Sequence, residues 1–199
     1  PPYGSGDPYG SGKSDGGGRG VPIGCGLAAG HAAGMPNYRR MWVPGGTYFF
    51  TVNLLERRRS LLVDGIDALG RAFRETRASA PFEMVAYVIL PEHLHCIWTL
   101  PEGDADIAVR WRRIKSSFSR SLPCDERRSE RRRAKGERGI WQRRYWEHLI
   151  RDARDLRHHI DYIHYNPVKH GLVARVDQWP YSSFHAYVRD GRLTRDWSL

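Results

Sequence analysis

The chain has 199 residues, a net charge of +10, 40% hydrophobic residues and seven Trp, enough for one domain with a substantial core and room for a tail. No apolar run approaches the roughly 20 residues that a membrane span requires. Cys25, Cys96 and Cys124 are odd in number and scattered, giving neither a disulfide framework nor a C-x-x-C zinc pattern, so a reducing cytoplasmic setting is the expectation.

Residues 1–34 are rich in Gly, Pro and Ser and poor in large apolar side chains. Such a segment cannot bury enough surface to offset its ordering entropy, and it is read as a disordered extension. It lacks the apolar region of a signal peptide. Patterned sequence begins at Met35, which is read as the true start, with the preceding residues as upstream sequence and 35–199 as the domain.

After Gly45-Gly46, the run from Thr47 to Leu54 is rich in β-branched and aromatic residues and predicts a first strand. Asp64 is a candidate cap for a helix over about 65–79, with Ile66, Leu69, Phe73 and Thr76 along one face and Pro81 as its stop. Phe82 to Leu90 predicts a second strand. Pro91-Glu92 then turns the chain into a third, His93 to Leu100, to make a hairpin. Successive side chains on a strand point to opposite faces, so His93 and His95 share one face while Leu94, Cys96 and Trp98 line the other. Two imidazoles so placed can fill two positions of one metal ion.

Asp104 or Asp106 opens a second helix near 106–121, with Ile107, Trp111, Ile114 and Phe118 as its apolar members. The order β-α-β-β-α predicts an α+β, ferredoxin-like sandwich, an antiparallel sheet with helices packed on it. Residues 110–144 hold 14 Lys or Arg against 4 Asp or Glu, a local excess that points to a polyanion, most simply nucleic acid. Residues 123–139, including Arg131-Arg132-Arg133, read as a mobile basic loop, and Ile140 to Trp146 as a further strand mixing aromatics with arginines. That mixture suits single-stranded nucleic acid, with cations on the phosphates and rings against bases. Arg112, Arg113, Lys115, Trp141, Arg143, Arg144 and, further on, Lys169 are the candidate DNA-binding residues.

Asp152 is a good helix cap, with Asp155 three residues on, and Pro167 is expected to close the helix. Leu156, His159, Ile160 and Ile163 form its packing stripe. At about 100° per residue, Tyr162 and Asn166 fall roughly 120° and 80° from Leu156 on the same flank, whereas Tyr165 falls near about 180°, toward solvent. Tyr162 is therefore the candidate nucleophile, and the flank carries an amide one turn away. A hard divalent cation held by His93, His95 and a neutral amide oxygen keeps open positions for phosphate oxygens, and Tyr162 can then attack to form a covalent phosphotyrosine. With an ordinary pKa near ~10 the phenol needs help, for which Glu92 and His159 are both candidates.

Pro91-Glu92-His93-Leu94-His95-Cys96-Ile97-Trp98, Trp141-Gln142, Tyr145-Trp146-Glu147-His148, Asp161-Tyr162-Ile163 and Asn166-Pro167-Val168-Lys169-His170-Gly171 together resemble the REP-associated tyrosine transposases, within the single-tyrosine HUH transposases. The likeness runs from about Tyr38 to Trp197, leaves out residues 1–34, and makes 125–138 look like an insertion. It implies a ferredoxin-like palm and cleavage and joining of single-stranded DNA at hairpin-forming repetitive extragenic palindromes, with Mg²⁺ or Mn²⁺. It carries the nucleophile onto Tyr162, two metal ligands onto His93 and His95, and the third onto Asn166, with a 5′-phosphotyrosine and a free 3′-OH as products. A nucleoid-associated protein without a membrane partner, working as a monomer or a homodimer, is what the family implies. The competing expectation is a non-catalytic single-stranded nucleic-acid-binding module of the same fold, though the aromatic RNP1 pattern of an RRM is missing. A zinc hydrolase is disfavoured because no H-E-x-x-H occurs.

Overall fold

The computed structural model describes residues 43–199; the Gly-rich segment and the reading of Met35 as a start lie outside the described residues. Strand β1 (Thr47–Asn53) leads into a short helix α1 (Leu61–Asp64), helix α2 (Ile66–Ser79), strands β2 (Glu83–Ile89) and β3 (His93–Thr99), and helix α3 (Ile107–Arg120). A helical turn α4 (Glu130–Ala134), strand β4 (Trp146–Leu149), helix α5 (Ala153–Lys169) and helix α6 (Phe184–Arg189) follow. The strands form one antiparallel sheet in the order β2-β3-β1-β4, the α+β ferredoxin-like arrangement expected.

The two faces of the sheet separate structure from chemistry. On one face Phe50, Val52, Leu94, Cys96 and Trp98 meet α2 and α3, and the rings of Trp98 and Trp111 stack with centroids 4.6 Å apart. Aromatic pairs of this kind add to the stability that area burial supplies, so this layer is the main core. On the other face Phe49, Val88, Ile97 and Ile163 form a smaller cluster, covered by α5, which lies against β2 and β3. The register places Thr51 opposite His95 on β3, and Phe49 opposite His148 on β4. Period-two alternation therefore brings Phe49, Thr51, His93, His95 and His148 to the face under α5.

The segment after α5 returns to the free edge of β2. The Ile89 amide donates to the Tyr181 carbonyl, the Trp179 indole donates to the Ile89 carbonyl, and Val88 bridges to Ser182. This hides a sheet edge that would otherwise offer unpaired backbone groups.

Four sequence expectations are corrected. Asp64 does not cap the long helix: it ends α1, its carboxylate accepts the Ser60 hydroxyl, and Gly65 precedes α2. The strand expected over 140–146 is interrupted. The Ile140 carbonyl accepts from Leu55, the Gln142 amide donates to Asn53 at the end of β1 and Trp141 bridges to Leu54, but the ladder to β1 resumes only at Trp146. Alternation alone cannot tell which residues find a partner strand. The segment 123–139 is not a free loop, since Arg138 donates to the carbonyls of Ser119 and Pro123 and pairs with Glu126, and α4 sits within it. Lastly, α5 does not stop at Pro167 but runs to Lys169. The proline only omits one helical donor in the last turn. The end comes at Gly171, whose φ of +67° allows the Leu172 amide to reach back to the Pro167 carbonyl.

Candidate active site

His93 and His95 are 4% and 3% exposed, with ring centroids 4.9 Å apart and planes nearly perpendicular. Each ring is held through Nδ1. Glu92 Oε1 lies 3.1 Å from the Nδ1 of His93, and Thr51 Oγ1 lies 2.9 Å from that of His95. A carboxylate can only accept, so Glu92 favours the His93 tautomer with the proton on Nδ1, and the Thr51 hydroxyl is able to accept a hydrogen bond from His95 Nδ1 in the same way. The Nε2 of His95 is buried and has no hydrogen-bond partner among the described residues. Burial pushes the His95 pKa well below the ordinary imidazole range, and the neighbouring His93, His170 and Lys169 act in the same direction. Neutral imidazole is the form that ligates a cation.

Helix α5 presents Tyr162 to this pair. The Tyr162 ring lies 5.2 Å from that of His95, 5.9 Å from that of Phe49, and 5.2 Å beneath the Lys169 ammonium. At the far end of the same face, His170 lies 5.1 Å from His93. Asn166 is one helical turn from each of Tyr162 and His170, so all three share a flank of α5. Its side chain is fully buried, and neither Oδ1 nor Nδ2 has a partner among the described residues. An unpaired buried amide is costly. The amide oxygen and the bare nitrogen of His95 are both buried, unpaired atoms of types that can ligate a divalent cation.

The remaining candidates divide. Glu92 is on the His93 side of the pair, 3.7 Å from Arg57, with its carboxyl held below the ordinary range mainly by the hydrogen bond to His93. Its contacts are with His93 and Arg57. His159 turns away from Tyr162, with its Nδ1 2.9 Å from the Asp155 carbonyl, and the Phe49 ring lies against both His159 and Tyr162. Trp141, expected to stack on bases, is instead 6% exposed in the main core, with its indole donating to Ser119 Oγ. Lys115 is likewise spent: its ammonium donates to the Gln142 carbonyl beside the Trp141 and Tyr145 rings, and burial lowers its pKa to about 8. Arg112 and Arg113 are exposed on α3, the layer across the sheet from the histidines, and Arg113 bonds Ser79. Arg143 and Arg144 are exposed just before β4, with Arg143 donating to Glu137, and Lys169 is exposed at the site itself.

The sequence reading missed Thr51, His170 and the grouping of His148 with Asp155 and His159, which figure there only separately, as part of a cap and as a candidate base. Thr51 becomes visible only through the β1–β3 register. His170 was obscured by the expectation that the helix stops at Pro167. A third group, His148, Asp155 and His159, joins β4 to the start of α5 with potential ligand atoms within 4.8 Å of one another.

The chain is thus an antiparallel α+β sandwich with paired imidazoles on one strand and a phenol of one helix packed against them. No family model matches the chain. It is 49% identical over 164 residues to the REP-associated tyrosine transposase of Escherichia coli (strain K12), covering 82% of this chain and 92% of that one. A relative from Haemophilus influenzae (strain ATCC 51907 / DSM 11121 / KW20 / Rd) is 50% identical over 164 residues, covering 82% of this chain and 93% of its own. A solved structure of a REP-associated tyrosine transposase bound to a REP hairpin superposes with a TM-score of 0.72 at 48% identity, covering 83% of this chain and 92% of that chain. The chain belongs to the REP-associated tyrosine transposases. No helix among the described residues is long and apolar enough to cross a membrane.

Proposed function

We propose that the protein cleaves and rejoins single-stranded DNA at hairpin-forming REP-type sequences, with Tyr162 as nucleophile. The observation that carries this reading is the 5.2 Å contact between the Tyr162 and His95 rings, which joins two segments far apart in the chain. The structural neighbour bound to a REP hairpin supports the choice of DNA. His93, His95 and Asn166 would hold the divalent cation, Mg²⁺ or Mn²⁺, which supplies polarisation of the phosphate and offsets charge in the transition state. Glu92 and Thr51 orient the two imidazoles. Tyr162 attacks the scissile phosphorus, the bond to the 3′ oxygen breaks, and that oxygen leaves as a hydroxyl, gaining a proton as the phenol loses one. The 5′-phosphotyrosine keeps the energy of the phosphodiester, so a 3′-OH can reverse the step and rejoin a strand. Lys169 adds positive charge beside the reacting phosphate, and Arg143 and Arg144 meet the phosphates of the hairpin.

The test is a covalent-adduct assay with a hairpin-bearing single strand and Mg²⁺ or Mn²⁺. Wild type and Tyr165→Phe give an adduct that survives denaturation, whereas Tyr162→Phe binds the hairpin and gives none. An adduct in Tyr162→Phe would move the nucleophile elsewhere. Wild type that binds the hairpin without ever forming an adduct would make this a binding module.

A further inference from the structure

We propose that His148, Asp155 and His159 form a second metal site, for a borderline transition ion such as Zn²⁺ or Co²⁺, that ties the start of α5 to β4. His148 Nε2 lies 2.8 Å from Asp155 Oδ2, and His159 Nδ1 lies 3.0 Å from Asp155 Oδ1. The two imidazole rings stack with centroids 4.7 Å apart and planes 17° from parallel. One ligand atom from each of the three residues lies within 4.8 Å of the other two. A tetrahedral zinc site, with bonds of about 2.0–2.2 Å, spaces its ligands roughly 3.3 Å apart, which rotamer adjustments here can reach.

The donor set suits such an ion. Two imidazole nitrogens and one carboxylate oxygen are ligands that Zn²⁺ and Co²⁺ take readily, with water free to complete the shell. The three side chains are 18–21% exposed, so water can complete the shell and an ion can enter. The group is supported as ligand shells are: the Arg151 amide donates to Asp155 Oδ2, and Trp146 stacks on His148 at 5.9 Å. It is separate from the Tyr162 site, because the Phe49 ring lies between His159, at 4.7 Å, and His95, at 5.4 Å. A bound ion would cross-link a sheet edge to the first two turns of the tyrosine helix and fix that helix on the sheet. This inference does not depend on the cleavage reading, and its test measures metal rather than turnover.

Untagged full-length protein, stripped of metal, is dialysed against Co²⁺ and the bound metal counted by mass spectrometry. The His93→Ala/His95→Ala variant is expected to retain one equivalent with the visible absorption of four- or five-coordinate Co²⁺. Adding His148→Phe, which keeps a ring against Trp146, removes that equivalent or weakens it at least tenfold, and circular dichroism checks the fold. Zn²⁺ raises the melting temperature of the double variant but not of the triple. Should the double variant not fold, wild type and His148→Phe are compared, and the stoichiometry falls by one. A folded His93→Ala/His95→Ala variant that binds no Co²⁺, or binding unchanged by His148→Phe, overturns the proposal.

Discussion

Replacing Asn166 by Leu should stabilise the metal-free protein while weakening its activity, two effects of opposite sign from one side chain. Asn166 is fully buried with both amide atoms unpaired among the described residues. Leaving such a group unpaired costs about 1–3 kcal/mol. Leu keeps the branch at Cγ, removes both unpaired atoms, and is a better helix former by a few tenths of a kcal/mol. In a domain of this size each kcal/mol moves the melting temperature by about 2–4 °C. In chelator-treated protein, Asn166→Leu should therefore melt roughly 2–12 °C higher than wild type. The same variant should show a smaller stabilisation by Mn²⁺ and a reduced yield of covalent adduct. Scanning calorimetry with chelator and then with saturating Mn²⁺ reads both effects. A lower melting temperature in chelator, together with an unchanged Mn²⁺ shift, would refute the reasoning, since the amide would then be a structural contact and not a ligand.

Because Tyr162 meets His95 of its own chain, mixing Tyr162→Phe with His95→Ala protein should not restore the covalent adduct. Restoration would mean that the phenol acts on a partner's histidines. Trp141→Ala should cost about 3–5 kcal/mol in chemical denaturation, because the indole is core, with no specific loss of base stacking in the folded fraction. A stable variant with weakened DNA binding would return Trp141 to the interface. Arg131 and Arg133 are exposed, whereas Arg132 donates to the Arg138 and Trp141 carbonyls. The pair Arg131→Ala/Arg133→Ala should therefore lower the slope of log binding constant against log salt by up to about 2, and an unchanged slope would remove α4 from the DNA contacts.

Much of the fold was legible because strand alternation and helix capping are local. The face shared by His93 and His95, the core face of Leu94, Cys96 and Trp98, and the capping of α3 by Asp106 all follow from neighbours in the chain. So does the placing of Tyr162 on a flank of its helix. What could not be read depends on distant partners. The Trp141 ring looked free because nothing local shows that it packs on Phe118, and Lys115 looked like a free cation because nothing local shows the Gln142 carbonyl. The end of α5 was misjudged because proline at the last turn loses one bond and no more, and this hid His170. The His148 cluster was hidden for a related reason. Asp155 was already accounted for as part of the cap, and only the β1–β4 pairing swings His148 over to meet it.

Helix α5 is held at both of its sides. Asp152 and Asp155 fasten its first turn, the latter to His148, and His164 on its back is fully buried with Nε2 2.9 Å from Ser183 Oγ. A rod pinned in this way has little freedom to swing. A DNA end attached to Tyr162 would accordingly stay parked where it was cut, and exchange of one strand for another would be accomplished by the nucleic acid travelling to a stationary tether.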